Sequence, residues 1–192
     1  MYRPVASSLQ LGADEPVNVR RPGPIVQVAY VVEDLHYAIR QWITLFGVGP
    51  FFVLERVEYL EHEVDGIRSS PVMSLAFAYS GDLQVELIQT LDQEPSVISR
   101  YPPSPVNGFH HIAILSEDMA SDEARMAKGG LRRVGSGVSE MGVRVAFFHG
   151  GPHAGGLVEL IRADDTVTRF FRELKRAASE WDGKTPYGAA PG

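Results

Sequence analysis

Four polar side chains interrupt runs that are otherwise apolar and rich in β-branched residues. They are Gln27 in VQVAYVV, Glu86 in LQVELIQ, His111 in FHHIAIL and Glu159 in LVELIR. Successive side chains on a strand face opposite ways. Gln27 therefore shares a face with Ala29 and Val31, Glu86 with Gln84 and Ile88, His111 with Ala113, and Glu159 with Leu157 and Ile161. A carboxylate on a buried strand face is costly unless a cation or a donor compensates it. Two carboxylates, one amide oxygen and one imidazole form a ligand set suited to a divalent metal. Taken singly, each has an ordinary structural reading: a strand glutamate is commonly salt-bridged, with Arg144 or Arg162 as the partner, and a strand histidine is commonly hydrogen-bonded. What favours metal is that the four fall at equivalent points of an internal repeat.

That repeat is legible in the letters. Placing Gln27 over His111 pairs apolar with apolar along VQVAYVV and HHIAILS, and then Glu33-Asp34-Leu35 with Glu117-Asp118-Met119. Downstream, Val85-Glu86-Leu87-Ile88 recurs letter for letter as Val158-Glu159-Leu160-Ile161. Each copy opens with a polar residue on one strand and closes with a glutamate on another.

Elements that would position these residues follow from periodicity. In the first copy, strands are expected at 25–32, 50–59, 72–79 and 83–89. A helix capped by Asp34 follows the first strand, with Leu35, Ile39, Trp42 and Phe46 on its apolar stripe and Gly47 at its end. Residues 61–70 read as a polar connection carrying the turn signal Asp65-Gly66, and Ser80-Gly81-Asp82 as a tight turn. The second copy repeats the order with strands at 110–115, 131–138, 143–149 and 156–162 and a helix over 118–128 ended by Gly129-Gly130. Val167, Phe171, Leu174, Ala178 and Trp181 draw a narrow apolar seam along a final helix from Asp165, with Gly183 as its cap. Its seam must be buried, against the chain's own sheet or across a dimer. The expected organisation is an irregular, proline-bearing arm over 1–24, a first βαβββ module over 25–90 and a linker over 91–108. A second module follows over 109–163, then a C-terminal helix and tail over 164–192. The linker, with Pro95, Pro102, Pro103 and Pro105, shows no pattern that would hold a helix or strand.

Bulk properties exclude several classes. The chain has 192 residues, 44% of them hydrophobic and 22% charged, as expected of a soluble globular protein. A net charge of -6 argues against a nucleic-acid partner. No apolar run approaches the ~20 residues that span a bilayer, and the opening MYRPVASSLQLGADEP lacks the apolar core of a secretory signal. The absence of cysteine excludes disulfides and thiolate metal sites. A cytoplasmic enzyme is expected.

The paired modules, the HHIAI strand and the two VEL strands resemble the vicinal oxygen chelate superfamily. Its members include glyoxalase I, methylmalonyl-CoA epimerase, extradiol dioxygenases and the fosfomycin- and bleomycin-resistance proteins. The resemblance runs from about Ile25 to Arg162. It implies an α+β fold in which two tandem βαβββ modules curve into one sheet around a shared metal cleft, here with a C-terminal helix added. It also implies that Gln27, Glu86, His111 and Glu159 are the metal ligands, the metal being zinc, nickel, cobalt or manganese. The order Gln, Glu, His, Glu is similar to some glyoxalase I enzymes. Epimerases place His first and Gln second, and carry a further carboxylate where Ser74 stands here. Extradiol dioxygenases need two His and one Glu.

The implied activity is that of a metal-dependent lyase or isomerase, glyoxalase-I-like or epimerase-like. It would transfer a proton alpha to a carbonyl through a metal-stabilised enolate. Glu159 would be the mobile base, Glu86 a ligand or the opposing acid/base, and His111 and Gln27 plain ligands. His110, on the opposite strand face by alternation, reads as structural. Phe51, Phe52, Met73, Phe77, Met141 and Phe147 or Phe148 are candidates for an apolar pocket wall. The expected partner is a small-molecule carbonyl substrate (a thiol or CoA conjugate, or a larger apolar compound), with a second copy of the chain as a homodimer, and neither nucleic acid nor membrane. Arg20, Arg21, Arg56 and Arg100 are candidates to meet substrate carboxylates, and His149 and His153 to touch substrate. The alternatives are a ring-cleaving dioxygenase of the same superfamily and a metal-free small-molecule binding or resistance protein.

Overall fold

The structure is a computed structural model that describes residues 23–103, 107–150 and 156–188. The expected N-terminal arm, except for its last two residues, lies outside them, as does His153. The described residues form ten strands and four helices. In chain order these are β1 (Ile25–Val31), α1 (Leu35–Phe46), β2 (Phe52–Glu58), β3 (His62–Val64), β4 (Ile67–Ser69), β5 (Val72–Ser80) and β6 (Leu83–Thr90). Then come α2 (Val97–Arg100), β7 (Gly108–Ser116), α3 (Met119–Lys128), β8 (Leu131–Val138), β9 (Arg144–Gly150), β10 (Leu157–Arg162) and α4 (Asp165–Ser179). All strands join one mixed sheet in the order β2-β5-β6-β1-β7-β10-β9-β8-β3-β4. The fold is α+β, a curled half-barrel with the first strands of the two repeats, β1 and β7, adjacent and antiparallel at its centre. None of the helices among the described residues is long and apolar enough to cross a membrane.

Each of the three longer helices starts after an aspartate whose carboxylate takes up a backbone N–H that the helix cannot bond itself. Asp34 accepts from Tyr37 N at 2.8 Å, Asp118 from Ser121 N at 3.1 Å and Asp164 from Val167 N at 2.9 Å. Such a cap contributes about 1 kcal/mol. Helix α1 ends at Gly47 in the left-handed conformation that glycine adopts at least cost. Helices α1 and α3 lie on one face of the sheet. Leu35 and Ile39 pack against Leu87 and Ala76, and Met119 and Met126 against Leu160 and Phe148. Phe46, expected on the buried stripe of α1, is exposed.

Helix α4 lies on the other face, the inner one. Val167 and Leu174 enter the same core cluster as Ala29, Ala113, Phe77 and Ile161. Phe170 meets Phe77 edge-on at 5.5 Å, and Lys175 pairs with Asp82 in the β5–β6 turn at 2.7 Å. The seam of α4 is thus buried within its own chain. The helix stops at Ser179, with Glu180 and not Gly183 as its cap. Trp181 leaves the helix line and covers Gly49, where even a methyl group would come within 2.8 Å of the indole. The tail then pairs with the start of β2, Phe51 N donating to Pro186 O and Gly188 N to Phe51 O, each at 2.9 Å.

Two further expectations are corrected. The polar connection over 61–70 is a β-hairpin, because Asp65 and Gly66, at φ 48° and 79°, form the tight turn that suits antiparallel strands. Its strand β3 pairs with β8, so a piece of the first repeat extends the edge of the second. Glu63 is therefore on a strand and not in a loop. In the linker, Ser96 and Ser99 cap one another and support the single turn of α2.

Candidate metal centre

Gln27, Glu86, His111 and Glu159 come together on the inner face, and strand register explains how. Ala29 is beside both Glu86 and His111, and Ala113 is beside both Gln27 and Glu159. Two buried methyl groups thus floor the centre of the sheet, and the larger polar side chains rise around them. Each of the four is at least nine-tenths buried. His111 Nε2 is 3.1 Å from Glu159 Oε2 and 3.4 Å from Glu86 Oε2. Neither Arg144 nor Arg162 reaches the carboxylates; the group that pairs with both glutamates is His111 itself.

Gln27 is oriented by a chain of amides. Its Nε2 donates to Gln84 Oε1 at 2.8 Å, and Gln84 Nε2 donates to the Tyr79 hydroxyl at 3.4 Å. This leaves Gln27 Oε1 buried with no protein partner. An orphaned acceptor of this kind is unfavourable unless something meets it. One potential ligand atom from each of Glu86, His111 and Glu159 lies within 4.8 Å of the others. A neutral imidazole, two carboxylates and an amide oxygen balance the charge of a divalent ion, so the residues fit one.

Electrostatics without a metal point the same way. Burial raises the Glu86 carboxyl above its ordinary value, partly opposed by its contact with His111. Burial alone would lower the His111 pKa, but the carboxylates of Glu159 and Glu86 outweigh it and push the imidazole up to about 9. The two acids demand a positive charge, and His111 supplies one when no cation does. Tyr59 faces this cluster. Burial, then the charges of Glu159 and Glu86, raises its phenol above the ordinary value, so it remains a neutral donor.

Two cavities meet at the cluster. The larger, of about 120 Å³, is fronted by Gln27, Glu86 and Glu159 and walled by apolar side chains that include Leu75, Phe77 and Met141. Val167, Phe170 and Phe171 of α4 roof it. The smaller chamber, of about 20 Å³, reaches Glu86, His111 and Glu159 from behind. Of the expected wall residues, Phe77 and Met141 line the first and Met73 and Phe147 the second. Phe52 lies in the inner core but lines neither cavity, while Phe51 and Phe148 are buried on the opposite face, under α1 and α3. Ser74 is buried on β5 beside Gln89 of β6, and no carboxylate takes its place. Arg100 pairs with Asp65 at 3.7 Å, and His149 is exposed against Tyr101.

Two histidines that the strand pattern did not bring to the centre line the smaller chamber. His62, on β3, places Nδ1 2.9 Å from Ser69 Oγ, and that hydroxyl donates its own hydrogen to Pro95 O. The His62 proton must then be on Nδ1, which leaves Nε2 bare, buried and unpartnered. Burial lowers the pKa of His62 and keeps the ring neutral. The Asp65-Gly66 turn signal could have revealed His62, since a hairpin there puts His62 and Val64 on one strand face. His110 was expected on the opposite face. Register corrects this: Ala29 is opposite His111 while its neighbour Tyr30 is opposite Phe109, so His110 is the extra residue of a β-bulge. A bulge breaks alternation and re-aims its side chain. The His110 ring turns inward, with Nδ1 2.9 Å from His111 Nδ1.

The fold agrees with the comparisons. A family model described as the glyoxalase/bleomycin resistance protein/dioxygenase superfamily matches residues 26–147. An ethylmalonyl-CoA/methylmalonyl-CoA epimerase of Cereibacter sphaeroides is 27% identical over 143 residues, which cover 72% of this chain and 96% of that protein. Hypothetical protein BH1468 from Bacillus halodurans superposes with a TM-score of 0.52 at 19% identity, over 74% of this chain and 95% of that one. Methylmalonyl-CoA epimerase from Mycobacterium tuberculosis gives 0.50 at 22% identity, over 75% and 90%. These two structures share the fold. Because the family match takes in well over half of the sequence, this chain belongs to the glyoxalase/bleomycin resistance protein/dioxygenase superfamily.

Proposed function

We propose that the protein is a metal-dependent isomerase or lyase that moves a proton at the carbon next to a carbonyl. The observation that carries this reading is the buried Glu86–His111–Glu159 cluster, joined by the orphaned oxygen of Gln27, at the floor of an apolar cavity. Gln27, Glu86, His111 and Glu159 would hold a divalent ion there. Bound, that ion would act as a Lewis acid on a substrate oxygen.

The chain's own residues divide the remaining work. Glu86 and Glu159 front the larger cavity, whereas His111 lines only the smaller one behind them. The carboxylates are thus placed to meet the substrate, with Glu159 as the base, and His111 is placed to hold the ion. Tyr59, a neutral donor that lines both cavities, can steady charge that develops on a substrate oxygen. The walls exclude water, which strengthens each of these interactions.

The cavity also favours a kind of substrate. Its described lining holds no lysine or arginine, so no cationic side chain there would meet an anionic group. A volume of about 120 Å³ takes a small carbonyl compound or an acyl group with an apolar body. The relative named as an ethylmalonyl-CoA/methylmalonyl-CoA epimerase extends this to acyl groups carried on CoA. In that case the acyl group would occupy the cavity and the nucleotide would stay outside it.

Elemental analysis of the purified protein beside Glu159→Gln, followed by deuterium exchange of carbonyl substrates in heavy water, tests the proposal. Near-stoichiometric metal in the wild type, reduced in the variant, and exchange that the variant loses, are expected. Wild-type protein that takes up no divalent ion would overturn the metal mechanism and favour a binding protein on the same fold.

A further inference from the structure

We propose that the bulged His110 is a positioning residue that fixes the tautomer of His111, holding its proton on Nδ1 so that Nε2 offers a lone pair between Glu86 and Glu159. This rests on the reading that those three residues hold a divalent cation.

The argument is a count of protons. The two Nδ1 atoms are 2.9 Å apart and both rings are buried, so the pair shares one proton. Two protons there would repel, and none would leave two lone pairs face to face. Two arrangements remain. In one, His110 donates; His111 then carries its proton on Nε2, which cannot ligate, and the outer nitrogen of His110 is a bare acceptor. In the other, His111 donates and His110 carries its proton on Nε2.

The surroundings choose between them. Around His110 the available groups are the carbonyls of Val97, which opens α2, and of Tyr101, which follows it, and both are acceptors. No direct hydrogen bond closes on His110 Nε2. A protonated Nε2 there nevertheless faces compatible groups, whereas a bare one would face other lone pairs. At the far end, His111 Nε2 is directed at two carboxylate oxygens. With an ion between the carboxylates only the second arrangement leaves Nε2 free to ligate; without one, Nε2 keeps a proton toward the carboxylates while Nδ1 still donates to His110. The second arrangement runs from the Val97 and Tyr101 carbonyls through His110 to His111, and ends with a lone pair where the ion would be. A ligating histidine is commonly oriented by what its other nitrogen meets. Here that partner is a second histidine, brought to the inner face by a bulge.

The test combines spectroscopy with zinc affinity. Histidine ¹⁵N spectra of the wild type should show His110 with its proton on Nε2 and a bare Nδ1. His110→Phe keeps the ring shape and removes the acceptor. In competition with a chromophoric chelator it should bind zinc ~10–100-fold more weakly than wild type. His110→Gln, whose amide oxygen can accept from His111 Nδ1, should recover most of that loss. A proton found on His110 Nδ1, or wild-type zinc affinity in His110→Phe, would overturn the proposal. Should His110→Phe fail to fold by circular dichroism, the wild-type spectrum and the His110→Gln affinity still decide. A wild-type protein that binds no zinc refutes the metal reading instead, and the ¹⁵N spectrum continues to report the tautomer.

Discussion

Metal uptake at neutral pH should expel a proton from His111. In the metal-free protein its imidazole is raised from the ordinary 6.5 to about 9, because Glu159 and Glu86, at 3.1 and 3.4 Å, outweigh the effect of burial. At about pH 7.5 the ring is therefore almost fully protonated, and Nε2 can serve a metal only after losing that proton. One proton per ion should be released. Apparent affinity should rise ~10-fold per pH unit, or ~1.4 kcal/mol, until the pH passes the His111 pKa. Titration calorimetry in buffers of different ionisation enthalpy measures the release directly. In Glu159→Gln the nearer carboxylate is gone and the His111 pKa falls. That variant should release less at the same pH, beyond its loss of affinity. Equal affinity at about pH 6.5 and 8.5, with no dependence on buffer, would refute this account of the cluster.

The remaining predictions concern stability. Because the folded pKa of His111 is raised, its contribution to the metal-free protein is fully present below pH 6.5 and is lost as the pH climbs through about 9. Urea unfolding across that window should show a decline of at most ~3 kcal/mol, and saturating zinc should abolish it. Leu174→Ala, at a position with no exposed surface, should cost ~2–5 kcal/mol in the same assay if α4 docks within its own chain. A negligible loss would mean that it does not. Gly49→Ala should displace Trp181, cost ~1–3 kcal/mol and shift the indole emission toward that of an exposed tryptophan. Unchanged emission would show that the contact is not made.

Much of this architecture is legible in the order of residues. The Asp34 cap, the α1 stop at Gly47 and the Asp65-Gly66 turn depend on interactions within a few positions of themselves, whereas the caps at Asp118 and Asp164 were not singled out. The inward polar set was equally accessible, since alternation fixes the faces of Gln27, Glu86 and Glu159 within single strands, and the repeat equates the two halves. His62 escaped notice because its hairpin is short and polar and its pairing partner lies far along the chain. His110 escaped because one extra residue in β7 breaks the period of two on which its assignment depended.

The sequence by itself therefore determined the repeated unit, the α1 boundaries set by Asp34 and Gly47 and the identity of the four inward polar residues. Each of those follows from interactions between near neighbours, or from periodicity along one element. The tertiary structure alone decided that β3 crosses to pair with β8, that α4 roofs the cleft from within its own chain, and that a bulge turns His110 toward His111. Those outcomes depend on which distant surfaces bury one another, and register between strands has no signature in either strand alone.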